Sequence, residues 1–423
     1  MKGNNMKKIL TSVLSIALVL ALLLLTVSCG SASAGNLMDE ITPEKVDGKK
    51  GDDNFRTAQI DFALKLFEGV AKDGRDDNIL LSPVSAMYAL AMLANGAEGE
   101  TLSQMEEALG GISIGELNEY LYSYAETLSK TDFTELYNSI WLRSDGSLSV
   151  NKDFLQKNSN YYGADVFSEA FDASTVKKIN AWADEKTRGM IKEVVNEDMI
   201  REAVLLLANA TVFEADWQNP FNPDLVKDGY FTTEDGEKQK VSMMSSTEST
   251  YLEGENAVGF KKYYSGGKYS FTALLPNDGD VYAYLESLEA QELSSLLSQN
   301  SRDDVRVSVT IPKFKGEYEA YLNSTLKAMG MERAFAGNAE FFGLGSSSRG
   351  NIYVDLVKQN TFIELDEKGT KAAAVTVIGA YTTGAITNIK RYEVKLDRPF
   401  VYFIVEEETN LPVFMGIVTD LGE

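Results

Sequence analysis

The sequence predicts one α+β domain, and three observations predict it. Apolar residues recur at helical spacing mainly in the first half of the chain, strand-like alternation appears mainly in the second half, and no repeat or internal linker separates the two. With 423 residues, 44% of them hydrophobic, the chain can furnish one large core. The expected domain spans residues 54–423.

In chain order, the first element lies outside that domain. Lys2, Lys7 and Lys8 precede an uncharged, mostly apolar stretch from Ile9 to Val27, which runs into Thr26-Val27-Ser28-Cys29-Gly30-Ser31. A basic start, an apolar middle and small residues at the cut make an export signal over residues 1–28, with Met6 as an alternative start. An uncleaved anchor is the competing reading, because the stretch is long enough to span a bilayer. The single cysteine decides between them, since the segment resembles a bacterial lipoprotein signal. That resemblance implies cleavage before Cys29, a lipid on its thiol, and anchorage to the outside of the bacterial membrane or cell surface; simple secretion is the alternative. The sequence departs from the lipoprotein pattern at Thr26, three residues before the cysteine, with Leu25 one place earlier. Residues 29–53 are small, polar and charged and read as a flexible tether.

Phe55, Ala58, Phe62, Ala63, Leu66, Phe67 and Val70 then follow helical spacing until Gly74 closes the run. A second helix is expected after Ser82-Pro83, from Ala86 through Leu93 and ending near Gly96; helical spacing recurs over 180–194 and 319–329. Strands are expected at 269–275, 307–311 and 392–396, and the continuous apolar run from Phe400 to Val405 suits a strand buried on both faces.

Composition excludes much chemistry. The chain has no histidine, so no Ser/His/Asp or Cys/His pair, imidazole ligand or imidazole proton switch exists. One cysteine forbids intramolecular disulfides and cysteine metal clusters. A formal charge of −23 argues against nucleic acid as partner and fits a soluble, self-repelling monomer. No metal or cofactor is expected, and a carboxylate-based hydrolase would need an acid pair that nothing in the sequence isolates. The glycine-rich run from Gly343 to Gly350 lacks the lysine and spacing of a nucleotide loop. Triplets at Asn209 and Asn323 match a glycosylation acceptor but are common by chance.

One stretch stands apart. Between Pro312 and Pro399 there is no proline, and within that window Gly369 is followed by small and β-branched residues. At alternate positions Thr370, Ala372, Ala374, Thr376, Ile378 and Ala380 form an uncharged face of little bulk, while Lys371 can face water. Such a face can enter a sheet without clash or buried charge.

From about Phe55 to Asp420 the chain resembles the serpin family. The motifs occur in the expected order: Asn78-Ile79-Leu80-Leu81-Ser82-Pro83-Val84-Ser85, Gly96-Ala97-Glu98-Gly99-Glu100-Thr101, Ile179-Asn180-Ala181-Trp182, Asn209-Ala210-Thr211-Val212-Phe213, Ile311-Pro312-Lys313-Phe314, Asp397-Arg398-Pro399-Phe400 and Phe414-Met415-Gly416. The resemblance implies the serpin fold, with helices packed around a large central mixed β-sheet, further sheets, and an exposed reactive centre loop at about 367–390. It implies a protein that is not an enzyme but a suicide inhibitor: a serine protease cleaves the loop, becomes esterified to it, and is dragged along as the loop inserts as a new strand.

Residue by residue, the resemblance implies a hinge at Glu367, Gly369, Thr370, Ala372, Ala373 and Ala374, where the glycine tolerates a change of backbone direction and the alanines obstruct nothing. Ser82, Ser85 and Asn209 match a polar network under the middle of the sheet, called the shutter; Gln359 stands where the family usually has histidine. Trp217 matches the tryptophan at the point of loop entry, the breach, and Lys313 is expected to pair with Glu367. Family counting puts the reactive bond between Thr383 and Gly384, with Tyr381, Thr382 and Ile386 as alternatives in a window reaching Asn388. A threonine suits an elastase-like protease and Tyr381 a chymotrypsin-like one, whereas Lys390 and Arg391 sit too far along for a trypsin-like one. A serpin-fold binding protein that does not trap is the alternative function.

Overall fold

The computed structural model describes residues 35–74, 77–131, 133–144, 148–348, 350–370 and 388–422. Local chemistry starts and stops the first helices. α1 (Asp53–Asp73) opens where the Asp52 carboxylate accepts from Phe55 N at 2.9 Å and closes at Gly74, whose N–H returns to Val70 O. Its inner stripe contains every apolar position expected from the spacing, all buried. After β1 (Ile79–Leu81), α2 (Pro83–Ala94) starts with Ser82 as cap and Pro83 in its first turn and is buried along its whole length. α3 (Gly99–Ala108), α4 (Ile114–Leu128), β2 (Thr134–Arg143), α5 (Lys152–Tyr162), β3 (Asp165–Glu169), α6 (Ala173–Lys186), β4 (Leu205–Phe213) and β5 (Ala215–Asp216) follow.

The rest is mainly strand: β6 (Lys227–Thr232), β7 (Lys238–Glu248), β8 (Thr250–Glu253), β9 (Ala257–Tyr263) and β10 (Tyr269–Pro276) precede α7 (Val281–Ser287) and α8 (Ala290–Leu297). Next come β11 (Val305–Pro312), β12 (Phe314–Tyr321), α9 (Asn323–Ala328), β13 (Leu356–Leu365), β14 (Gly369–Thr370), β15 (Lys390–Lys395), β16 (Phe400–Glu406) and β17 (Leu411–Val418).

Among the described residues these strands make three large sheets. The central sheet runs β3-β2-β4-β13, with β12 on the far side of β13 and β14 and β5 at its upper end. β4 and β13 pair in parallel from Leu206 opposite Leu356 to Thr211 opposite Thr361. The second sheet, β1-β17-β16-β10-β9-β8, packs with α1 and α2 in the main core; the third runs β15-β11-β7-β6. A separate apolar cluster of Trp141, Phe167, Ile179, Trp182, Val194 and Leu206 fills the space between the other face of the central sheet and α6. The α+β architecture predicted from the sequence is the one observed.

Three segments differ from expectation. Helical spacing over 180–194 overshoots, because α6 ends at Lys186 and left-handed backbone at Arg188 (φ 51) and Gly189 (φ 84) turns the chain back. Beyond it Asn180 Oδ1 accepts from Val194 N and Val195 N, so the apolar residues there line a strap over the sheet. Residues 319–321 belong to β12, held extended by the ladder from Phe314 opposite Leu365 to Tyr321 opposite Lys358, and the helix starts only at Asn323.

The third difference corrects the tether. Residues 35–52 lie along the body: Leu37 N donates to Val166 O, Ser168 N to Gly35 O and Gly35 N to Glu169, extending the sheet past β3. Glu44 N donates to the Asn160 side chain and Lys49 N to Glu119 O, while Leu37, Met38 and Ile41 pack on the core. Polar composition hid this, because the segment is held mainly by backbone hydrogen bonds and three isolated apolar contacts, which leave no periodic pattern.

Candidate functional site

The residues singled out in the sequence gather along the seam between β4 and β13. In its middle, Gln359 reaches under the sheet. Its Oε1 accepts from Ser82 N at 2.8 Å, and its Nε2 donates to Ser82 O and to Asn209 Oδ1, both at 2.9 Å. Asn209 Nδ2 donates to Ser85 O at 2.9 Å and contacts Ser85 Oγ and Asn138 Oδ1. Ser82 Oγ caps Ser85 N at 3.4 Å. Ser82, Ser85, Asn209 and Gln359 are therefore joined, and all are buried. An amide supplies donor and acceptor at once without a proton equilibrium, so it can join α2, β4 and β13 in a dry site.

Sequence reasoning missed the other side of that seam. β13 carries four consecutive polar residues, Lys358 to Thr361, every one of them buried. Thr361 Oγ1 donates to Leu80 O at 2.7 Å on the same face as Gln359, while Lys358 points the other way. Its ammonium donates to Val194 O of the strap at 2.6 Å and pairs with Glu319 at 2.9 Å. A buried cation is held only by such partners. Lys358 thus ties β13 to the strap that lies over β4. An unbroken polar run inside an otherwise apolar strand was the signal in the sequence.

Above Thr211 and Thr361 the seam opens. β14 enters as a wedge: Thr370 lies opposite both Leu365 and Ala215, and Gly369 opposite Asp216. The turn before it is fixed by Asp366, whose carboxylate accepts from Lys368 N at 2.7 Å and Gly369 N at 3.2 Å. Thr370 is buried, its hydroxyl 2.6 Å from the Tyr264 hydroxyl. The expected reason for Gly369 is corrected here. Its backbone is not left-handed; a Cβ would lie 2.1 Å from Ala215 O, so glycine is required by close approach of two strands.

Trp217 holds this turn from the side. Its ring nitrogen donates to Asp366 O at 2.9 Å, its backbone N–H to Lys368 O at 2.7 Å, and Phe221 N to Glu367 O at 2.9 Å. The indole stacks on Tyr264 with centroids 4.4 Å apart. Lys262, also missed, is buried with its ammonium 4.2 Å from the Phe221 ring centroid and paired with Glu248 at 2.8 Å. Lys313 and Glu367 form the expected ion pair. Burial, the largest single influence, works to raise the Glu367 carboxyl, but the Lys313 and backbone hydrogen bonds together with the charges of Lys313 and Lys368 carry the net shift downward. Asp216 shifts upward, through burial and then the neighbouring charge of Asp366; its Oδ1 has no hydrogen-bond partner.

Ala372, Ala373, Ala374, Tyr381, Thr382, Thr383, Gly384, Ile386 and Cys29 lie outside the described residues. Lys390 and Arg391 lie in β15, paired along β11. Asn209 and Asn323 spend their amides on internal hydrogen bonds. Among the described residues no group of three or more acidic or cysteine side chains could hold a metal ion.

Comparison with known proteins agrees with this geometry. A family model described as Serpin (serine protease inhibitor) matches residues 57–421. Alpha-1-antitrypsin 1-4 of Mus musculus is 29% identical over 379 residues, covering 85% of this chain and 87% of its own length. Among solved structures, the thermophilic serpin tengpin in its native state superposes with a TM-score of 0.85 at 43% identity, covering 92% of this chain and 100% of that one. The latent state of tengpin gives a TM-score of 0.76 at 39% identity, covering 89% and 100%.

Two outcomes follow from the seam. Gln359→Ala strands the buried Ser82 N–H and Asn209 Oδ1, while the Ser82 carbonyl keeps Ala86 N, and should lower stability by about 2–4 kcal/mol, read from the urea midpoint of the freshly folded protein; an unchanged midpoint would discount the network. Asp216→Asn should raise the thermal midpoint at pH 7. A carboxyl whose value is raised by folding favours the fold only when protonated, a contribution present below the ordinary value of 3.8 and lost as pH rises through the folded value. The two proteins should therefore converge at the acid end, and a constant difference across pH would contradict the assignment.

Proposed function

Because the chain belongs to the serpin family, we propose that it inhibits serine proteases by loop cleavage, acyl-enzyme trapping and strand insertion. The observation that carries this reading is β14: Gly369 and Thr370 already pair between β5 and β13. The protease serine attacks the Thr383 carbonyl, the Gly384 nitrogen leaves with a proton, and an ester joins Thr383 to the enzyme. The freed segment then continues the ladder that Thr370 begins. About 15 residues at roughly 3.3 Å each would carry the ester on the order of 50 Å.

Extending the register supports insertion at each layer. Residue 371 would fall opposite Glu364 and Glu214, so Lys371 would stand between two carboxylates on the outer face. On the inner face Ala372 would pass Phe213 and Ile363, and Ala374 would pass Thr211 and Thr361, with no bulk or charge to bury. Thr376 would arrive between Asn209 and Gln359, whose direct hydrogen bond must break, and its hydroxyl can bond both. Lys358 must at the same step release or stretch its bond to the strap. Thr383 as the residue before the bond suits the shallow apolar pocket of an elastase-like protease.

Trapping is tested by mixing the protein with an elastase-like protease. A complex that survives SDS, with the loop cut after Thr383 by mass spectrometry, is expected; a cut loop and a still active protease would indicate a binding protein or a substrate. Thr370→Arg should abolish the complex and leave cleavage intact, since it would bury a charge against Tyr264.

Export and lipidation of Cys29 are proposed from the amino-terminal sequence alone. Metabolic labelling with a fatty acid should mark the protein in a lipoprotein-processing bacterium, and Cys29→Ser should release it unlabelled into the medium. Label persisting in that variant would overturn the assignment.

A further inference from the structure

The face beside the bait carries charges that folding does not account for. β15 begins at Lys390 and runs parallel to β11, with Arg391 directly opposite Arg306. Cross-strand neighbours on one face lie about 5 Å apart, where like charges cost stability. Val305, Val307 and Val309 are buried, so the two-residue period puts Arg306 on the outer face of β11. Its guanidinium donates to the Asp303 and Val305 carbonyls at 2.9 and 2.6 Å, not to a carboxylate. Asp304 is engaged with Arg302 at 2.8 Å and Asp397 with Lys395 at 2.9 Å; Glu393, two residues along the same outer face and opposite Ser308, is the acid that shares the face with the two arginines.

The sequence strengthens the contrast. From Lys368 to Arg391 there are four cations and no carboxylate, in a chain whose formal charge is −23. Residues 371–387 therefore hold no counter-charge for the arginine pair.

We infer that Arg306 and Arg391 form a docking face for an acidic surface bordering the active cleft of the target protease. The inference rests on the reading of the chain as protease-directed. Arg391 lies seven residues after Gly384, at most about 25 Å along the chain, within the reach of an interface of about 20–30 residues a side. At physiological salt, charges act over about 8 Å, so this local face can attract although the body as a whole is acidic. The acidic body then repels such a protease in every other orientation. Attraction at one face and repulsion elsewhere raise the association rate and suppress misdirected encounters.

The probe is an elastase-like protease with an acidic border beside its cleft. It is used active, with its nucleophilic serine replaced by alanine, and with its border acids replaced by lysine. Arg391→Glu should slow association with the inert enzyme by about 3- to 10-fold at low salt, with the effect shrinking as salt rises. Its thermal midpoint should hold or rise, because opposite charges would then face each other across the strands. Arg306→Glu should behave alike, and the lysine-bordered protease should reverse the order. Association indifferent to these charges, or slowed only together with a fall in midpoint, overturns the inference. Charge-dependent docking of the inert enzyme without trapping of the active one would sink the inhibitory reading and leave the docking face standing. Trapping at rates indifferent to both variants would do the opposite.

Discussion

The hydrogen bond from Gln359 to Asn209 closes the central sheet, and the rest of the site is arranged around it. It joins β13 to β4 below the point where these strands part, and it is anchored to α2 through both backbone groups of Ser82. On the opposite face Lys358 holds the same strand to the strap over β4. One strand is thus clasped from two sides by polar groups that have no water to fall back on. Such groups hold firmly while paired and are costly to leave unpaired.

Above that clasp the sheet is spread by two residues. Gly369 fits because nothing but hydrogen occupies the space beside Ala215 O, and Thr370 fits because its hydroxyl finds Tyr264. Trp217 and the Lys313–Glu367 pair hold the preceding turn at the rim. In the proposed mechanism the wedge advances only when cleavage frees the lower part of the loop, and each further layer meets a face already shaped for it. The absence of histidine is consistent with this: the seam uses an amide where a proton-dependent group would make closure vary with pH.

Much of this was legible from residues alone. The stripe from Phe55 to Val70 matches the buried face of α1, and Phe400 to Val405 is buried on both sides, because both patterns are set by local periodicity against a large core. Other segments misled for physical reasons. Apolar residues in the strap mimic a helix because burial under α6 selects them at irregular intervals that happen to overlap helical spacing. Residues 35–52 were read as a tether because backbone bonds to an exposed sheet edge need no particular side chains. Lys358 and Lys262 went unnoticed because a lysine is ordinarily solvated, and only the enclosing partners reveal otherwise.

By itself the sequence determined the fold class, the uncharged alternate face of the segment after Gly369 and the chemistry that the chain lacks. These properties are carried by composition and periodicity, which act within a few residues. The tertiary structure alone decided that Gly369 and Thr370 already lie in the sheet, that glycine at 369 answers a close approach and not a turn, and that Gln359 and Lys358 clasp one strand from opposite faces. Each of these depends on a contact between segments far apart in the chain, and the distance between such segments is set by packing, which no local pattern records.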